Sequence, residues 1–170
     1  TLEIDLASHL RLDEPGAEWT LWRSVTSNGI YEAASGAILR PWKSNFVNDG
    51  LMHVHGLGST WYPISMTGSV SRYTEIGGSG VVLATSNGLI QLPARHDTGS
   101  GWGASFGMRV DNDMVVDASS RLWSMSETGG GQENGIRGLV DNAGTIDVDH
   151  RLTFFGPVTN SGTINANESM

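Results

Sequence analysis

The chain has no cysteine, which excludes a disulfide framework, a thiolate metal site and a cysteine nucleophile. Charge is also scarce: Asp, Glu, Lys and Arg make up only 16% of the residues, against about a quarter in typical domains. A coiled coil, a long-helix bundle or a solvating acidic tail needs dense Glu, Lys, Ala and Leu, so all three are excluded. Cations are fewer than anions and the net charge is −8. Phosphate binding needs a clustered cationic surface, so nucleic acid is not an expected partner. The cations themselves are nine Arg and a single Lys, Lys43, a bias of the coding sequence or of bidentate pairing at interfaces. No apolar run approaches the ~18 residues that a membrane helix needs, and no membrane partner is expected. The first residues, Thr1-Leu2-Glu3-Ile4-Asp5-Leu6, carry neither the basic nor the apolar region of a secretory signal.

What the chain does have is turn-forming and extended residues. Gly, Ser, Thr and Asn account for 65 of its 170 positions, and hydrophobic residues for 38%, enough for a modest core in one domain of ordinary size. Leu2, Ile4 and Leu6 alternate with Glu3 and Asp5, the period of a half-buried strand. Trp19-Thr20-Leu21-Trp22-Arg23-Ser24-Val25 ends at Asn28-Gly29, a pair that signals a hairpin because both residues tolerate positive φ. The same grammar continues with turn signals at Asn48-Asp49-Gly50, Gly77-Gly78-Ser79-Gly80, Asn87-Gly88 and Thr98-Gly99-Ser100-Gly101. No window of a dozen residues keeps a helical period without Gly or Pro. The expectation is an all-β protein of roughly ten to twelve strands. A sandwich- or barrel-like β domain over 1–125 would be followed by a Gly-rich linker over 126–135 and a β-repeat segment over 136–170.

That last segment contains a repeat. Val140-Asp141-Asn142-Ala143-Gly144-Thr145-Ile146-Asp147-Val148-Asp149 aligns with Val158-Thr159-Asn160-Ser161-Gly162-Thr163-Ile164-Asn165-Ala166-Asn167 at an offset of 18 residues. In each unit Asn-x-Gly makes the turn, Thr-Ile-Asx starts a short strand, and Ile points inward. One unit cannot bury its apolar side alone, so units stack on neighbours, as in solenoids. Two coincidentally similar hairpins would produce the same pattern. If the units stack, Ile146 and Ile164 share one core as neighbours while Thr145, Asp147, Thr163 and Asn165 face outward.

Asn-x-Gly-Thr-Ile-Asx repeats on a Ser/Thr/Gly/Asn-rich, cysteine-free, helix-poor chain resemble the exterior β-structured proteins of tailed bacteriophages. These include tail fibres, tailspikes and trimeric head-decoration proteins; similar repeats occur in bacterial autotransporter and filamentous adhesins. The resemblance covers residues 140–167, about a sixth of the chain. It implies a non-enzymatic homotrimer without cofactor on the virion exterior, or alternatively on a bacterial cell surface. The implied partners are other capsid or tail proteins and a host surface glycan. The rival implication is a polysaccharide-binding or polysaccharide-degrading β-module.

Chemistry-bearing residues are few. His53-Val54-His55 places two imidazoles on one strand face, where they could ligate a metal with a third group such as Glu75 or His96. Surface or satisfied core histidines are the reading preferred here, and no metal is expected. Asp111-Asn112-Asp113 with Asp117 fails the calcium-loop spacing, since Val116 stands where Gly is required. Glu32, Glu75, Glu127 and Glu133 sit in no glycosidase signature, and Gly78-Ser79-Gly80 lacks the frame of a nucleophile elbow. Six of thirteen aromatics are Trp. Trp61, Trp102 and Trp123 lie beside turn residues or on strands where a glycan or interface contact is expected of them.

Overall fold

The computed structural model describes residues 2–4, 8–21, 25–41, 46–63, 73–97, 104–126 and 133–167. They form strands and no helix. The first pass contains β1 (Leu2–Ile4), β2 (His9–Leu12) and β3 (Glu18–Leu21), and the second β4 (Val25–Ser27), β5 (Ile30–Ala34) and β6 (Ile38–Pro41). The third contains β7 (Phe46–Asn48), β8 (Leu51–His55) and β9 (Thr60–Trp61), and the fourth β10 (Tyr73–Gly77), β11 (Val81–Thr85) and β12 (Leu89–Asp97). The fifth runs through β13 (Ala104–Val110), β14 (Asp113–Val116) and β15 (Arg121–Ser126). The sixth runs through β16 (Asn134–Ile136), β17 (Val140–Asn142) and β18 (Thr145–Val148). The seventh ends the described chain with β19 (Leu152–Phe154), β20 (Val158–Asn160) and β21 (Thr163–Ala166).

Each strand pairs in parallel with the strand three places further along the chain. The result is seven stacked coils with three parallel sheets: A from the first strand of each coil, B from the second, C from the third. Among the described residues a single antiparallel ladder, Arg95↔Phe106 to Asp97↔Ala104, joins β12 to β13 between C and A. The all-β expectation holds. The separate sandwich- or barrel-like body expected over 1–125 does not form, because sandwiches close by antiparallel hairpins and these ladders are parallel. The same sheets run on through the repeat segment. Of the expected linker, residues 127–132 lie outside the described residues; Ser126 ends β15, and Asn134 and Gly135 open β16.

The strands are short because each buries one face and must then turn. In B, Tyr31, Met52, Val82, Met114 and Val140 stack in register, all 0% exposed. In C the matching column is Leu39, Trp61, Ile90, Leu122 and Ile146. In A it is Phe46, Ile76, Val110, Ile136 and Phe154. The three columns meet in one core.

Asn28-Gly29 does not close a hairpin. Neither residue takes a positive φ, and the flanking β4 and β5 belong to different sheets. The pair is a corner, and at the matching corner one coil on it is Gly50 that stands for room: a Cβ there would lie 2.1 Å from the Gly29 carbonyl oxygen. True left-handed residues occur where B turns into C, at Ser35-Gly36 (φ 55° and 89°) and Ser86-Asn87 (φ 54° and 69°).

Candidate functional site

Side chains alternate along every strand, so each sheet shows an outward face as ordered as its core. On B that face begins with His9 and Arg11, continues with Glu32, and reaches His53, His55 and Thr85. Glu32 is nearly buried at 9% exposure. His9 Nε2 lies 2.7 Å from its Oε2, His55 Nε2 lies 2.6 Å from its Oε1, and Arg11 adds an ion pair at 3.2 Å. Burial alone would raise the Glu32 pKa, but the hydrogen bonds from His55 and His9 and the Arg11 charge outweigh it and hold the carboxyl below its ordinary range. The His53 ring stacks on His55 with centroids 4.8 Å apart, and its Nε2 lies 2.8 Å from Thr85 Oγ1. Burial, then the neighbouring His55, lowers the His53 pKa against a smaller opposing pull from Glu32.

His53 and His55 therefore do share one face, as their spacing requires. The third ligand does not come from Glu75, which lies exposed on sheet A with Arg137 3.6 Å away. The His96 side chain lies outside the described residues. No group of three or more His, Asp or Glu among the described residues is arranged to hold a metal.

The outward face of C carries a second ordered array. Thr20, Arg40, Tyr62, Gln91, Trp123, Asp147 and Asn165 stand in successive coils of one column. The Arg40 guanidinium sits 4.9 Å from the Tyr62 ring centroid, and that of Arg121 4.7 Å from Trp123. Trp123 Nε1 donates to Asp149 Oδ2 at 2.6 Å, which fixes the plane of the indole. Arg121 also pairs with Asp147, and Asn165 donates to the other Asp147 oxygen at 2.8 Å. On A, Arg109 is only 6% exposed; it donates to Glu133 Oε1 at 2.8 Å and covers Phe155 at 5.1 Å.

The residues singled out from sequence are distributed unevenly over these surfaces. Trp61 is wholly buried and its indole donates to Met52 Sδ at 3.0 Å. The expected glycan or interface contact is corrected for Trp61: its position in β9 is an inward one, and the core claims the ring. Trp102 lies outside the described residues, as do Trp22, Trp42 and Glu127. Trp123 is half-buried on the outward face of C. Ile146 and Ile164 pair directly, in register, within one chain.

The Asp111–Asp117 stretch does not gather into a loop for an ion. Asn112 is buried and donates to the Asn48 and Gly78 carbonyls, Asp113 accepts from the Leu139 amide, and Asp111 pairs with Arg137. Asp147 faces outward, as its place in the repeat predicts, yet it is only 8% exposed because Arg121 and Asn165 cover it.

Sequence reasoning missed the Glu32 clasp and the Tyr62 column. Their members lie 23 residues apart in one case and 61 in the other, Tyr62 to Trp123. Only a known coil length would have brought them together. Comparison with protein-family models, with curated proteins and with solved structures gave no match. The fold itself defines the class: an all-β protein of stacked parallel coils.

Proposed function

We propose that the chain is a non-enzymatic structural module of an exterior assembly, the coiled part of a fibre, spike or decoration protein. Following the sequence resemblance, that assembly is a bacteriophage particle, with a bacterial cell surface as the alternative. The module works as a homotrimer and docks on other virion proteins. The observation that carries this reading is the repeat: Val140, Asn142 and Ile146 lie directly under Val158, Asn160 and Ile164. A frame that stacks on itself is a device for building length and stiffness, each coil adding ~4.8 Å along the axis.

An antibody against the chain tests the exterior placement. It should label intact particles or unpermeabilised cells, and labelling only after lysis would overturn that part of the reading. Sedimentation at micromolar concentration tests the assembly: a trimer is expected, and a stable folded monomer would exclude it.

A second reading, glycan binding, is favoured by one observation. Tyr62 and Trp123 stand two coils apart in the same outward column, with the Gln91 amide between them. Aromatic faces with adjacent hydrogen-bonding groups suit sugar rings. Binding to a polysaccharide array that is lost in Trp123→Ala would favour it.

A further inference from the structure

We propose that His9, Glu32, His55 and His53 form a pH-sensitive clasp that ties the first four coils together at neutral pH and loosens them on acidification. Glu32 on the second coil reaches back to His9 on the first and forward to His55 on the third. His53 continues the line to Thr85 on the fourth. Strands β2, β5, β8 and β11 are thus joined on their outward side by polar contacts as well as by the backbone ladder.

The ionisable groups facing the clasp are known from every strand around it. β2 supplies Arg11, paired with Glu32 and with Asp13 at 2.9 Å. β11 supplies only the Thr85 hydroxyl. One strand further, Asp113 and Asp117 are already engaged, with the Leu139 and Ser86 amides respectively.

The Nε2–H of His9 and that of His55 can each donate to the Glu32 carboxylate. A proton on His53 would set a cation against a ring stacked 4.8 Å away in a half-buried place. The folded state therefore resists protonating His53, whose pKa sits below the ordinary 6.5. An unfolded chain takes that proton more readily, so stability falls once the pH drops below 6.5. Glu32 acts in the same sense lower down. Its folded pKa lies below the ordinary 4.5, so its contribution is complete above 4.5 and is lost as the pH falls through the lower folded value. Sheet B of the fifth to seventh coils carries no histidine, so the loosening belongs to the N-terminal half.

Hydrogen exchange at pH 7.5 and 5.5, corrected for the intrinsic rate, tests this. Protection of residues 30–34 and 51–55 should fall severalfold relative to 113–116 and 140–148. His53→Gln should remove that relative loss. An equal change in both halves, or the same loss in His53→Gln, would overturn the proposal. Should the variant fail to fold, a histidine NMR titration of the unmodified protein decides: a His53 midpoint at or above 6.5 excludes the clasp, and one clearly below supports it.

Discussion

Ile146 and Ile164 hold the same place in consecutive units, yet Ile146 is 0% exposed and Ile164 45%. The difference comes from cover alone, since a further coil lies over the first and none of the described residues lies over the second. Truncation should reveal it. Ile146→Ala is expected to lower the unfolding free energy by about 2–5 kcal/mol, the range for a fully buried Ile. Ile164→Ala should cost under about 1.5 kcal/mol, because most of the transfer and cavity loss is absent. Urea denaturation of both variants checks the ratio, and equal losses would mean that Ile164 is covered in solution. Asn142 shows the polar counterpart of the same stacking. Its amide donates to Asn160 Oδ1 at 2.7 Å from a site with no solvent exposure. The Asn of the frame is therefore a rung of an internal ladder as well as a turn residue.

At the scale of the element, the corners decide what each coil tolerates. A Cβ on Gly144 would lie 2.2 Å from the Asp117 carbonyl oxygen and 2.3 Å from that of Ser120. Neither carbonyl can retreat without losing a backbone hydrogen bond, from the Ser120 amide in one case and the Thr145 amide in the other. Gly144→Ala should therefore destabilise by about 3 kcal/mol through overpacking, read as a lowered denaturation midpoint with an unchanged slope. The Gly of Asn-x-Gly was legible as a turn signal, but its reason was not: proximity of the preceding coil, rather than a positive φ, excludes a side chain.

The corner at Asp117 is held electrostatically. Burial would raise its pKa, but hydrogen bonds from Ser120, Ser86 and Ser119 take it down to about 2. Since the folded value lies below the ordinary 3.8, the stabilisation is complete above 3.8 and drains away toward pH 2. Melting temperatures of Asp117→Asn should thus change less between pH 4 and 2 than those of the native chain. A parallel fall in both would remove Asp117 from the acid response.

For the whole molecule, the register explains how much could be read beforehand. Successive coils are offset by 21 residues (Leu10 to Tyr31), 21 (to Met52), 30 (to Val82), 32 (to Met114), 26 (to Val140) and 18 (to Val158). Strand composition, turn residues and the inward Ile of the two repeat units were visible because they are local properties. Only the last offset was visible as a repeat, since the others range from 21 to 32 residues and leave no one period along the chain to detect. The parallel pairing stayed hidden for that reason. So did the meeting of Glu32 with His9 and His55, which needs a coil length to be known before any motif appears.

Those unequal offsets would also be felt mechanically. A chain pulled by its ends can leave a stack of parallel coils one turn at a time, and every released turn adds its own contour length. At ~3.4 Å per extended residue, the turn of 18 residues between Val140 and Val158 yields about 60 Å. The turn of 32 between Val82 and Met114 yields about 110 Å at the same rise per residue. A single molecule stretched slowly would then lengthen in uneven steps, and the order of step sizes would trace the coil lengths along the chain.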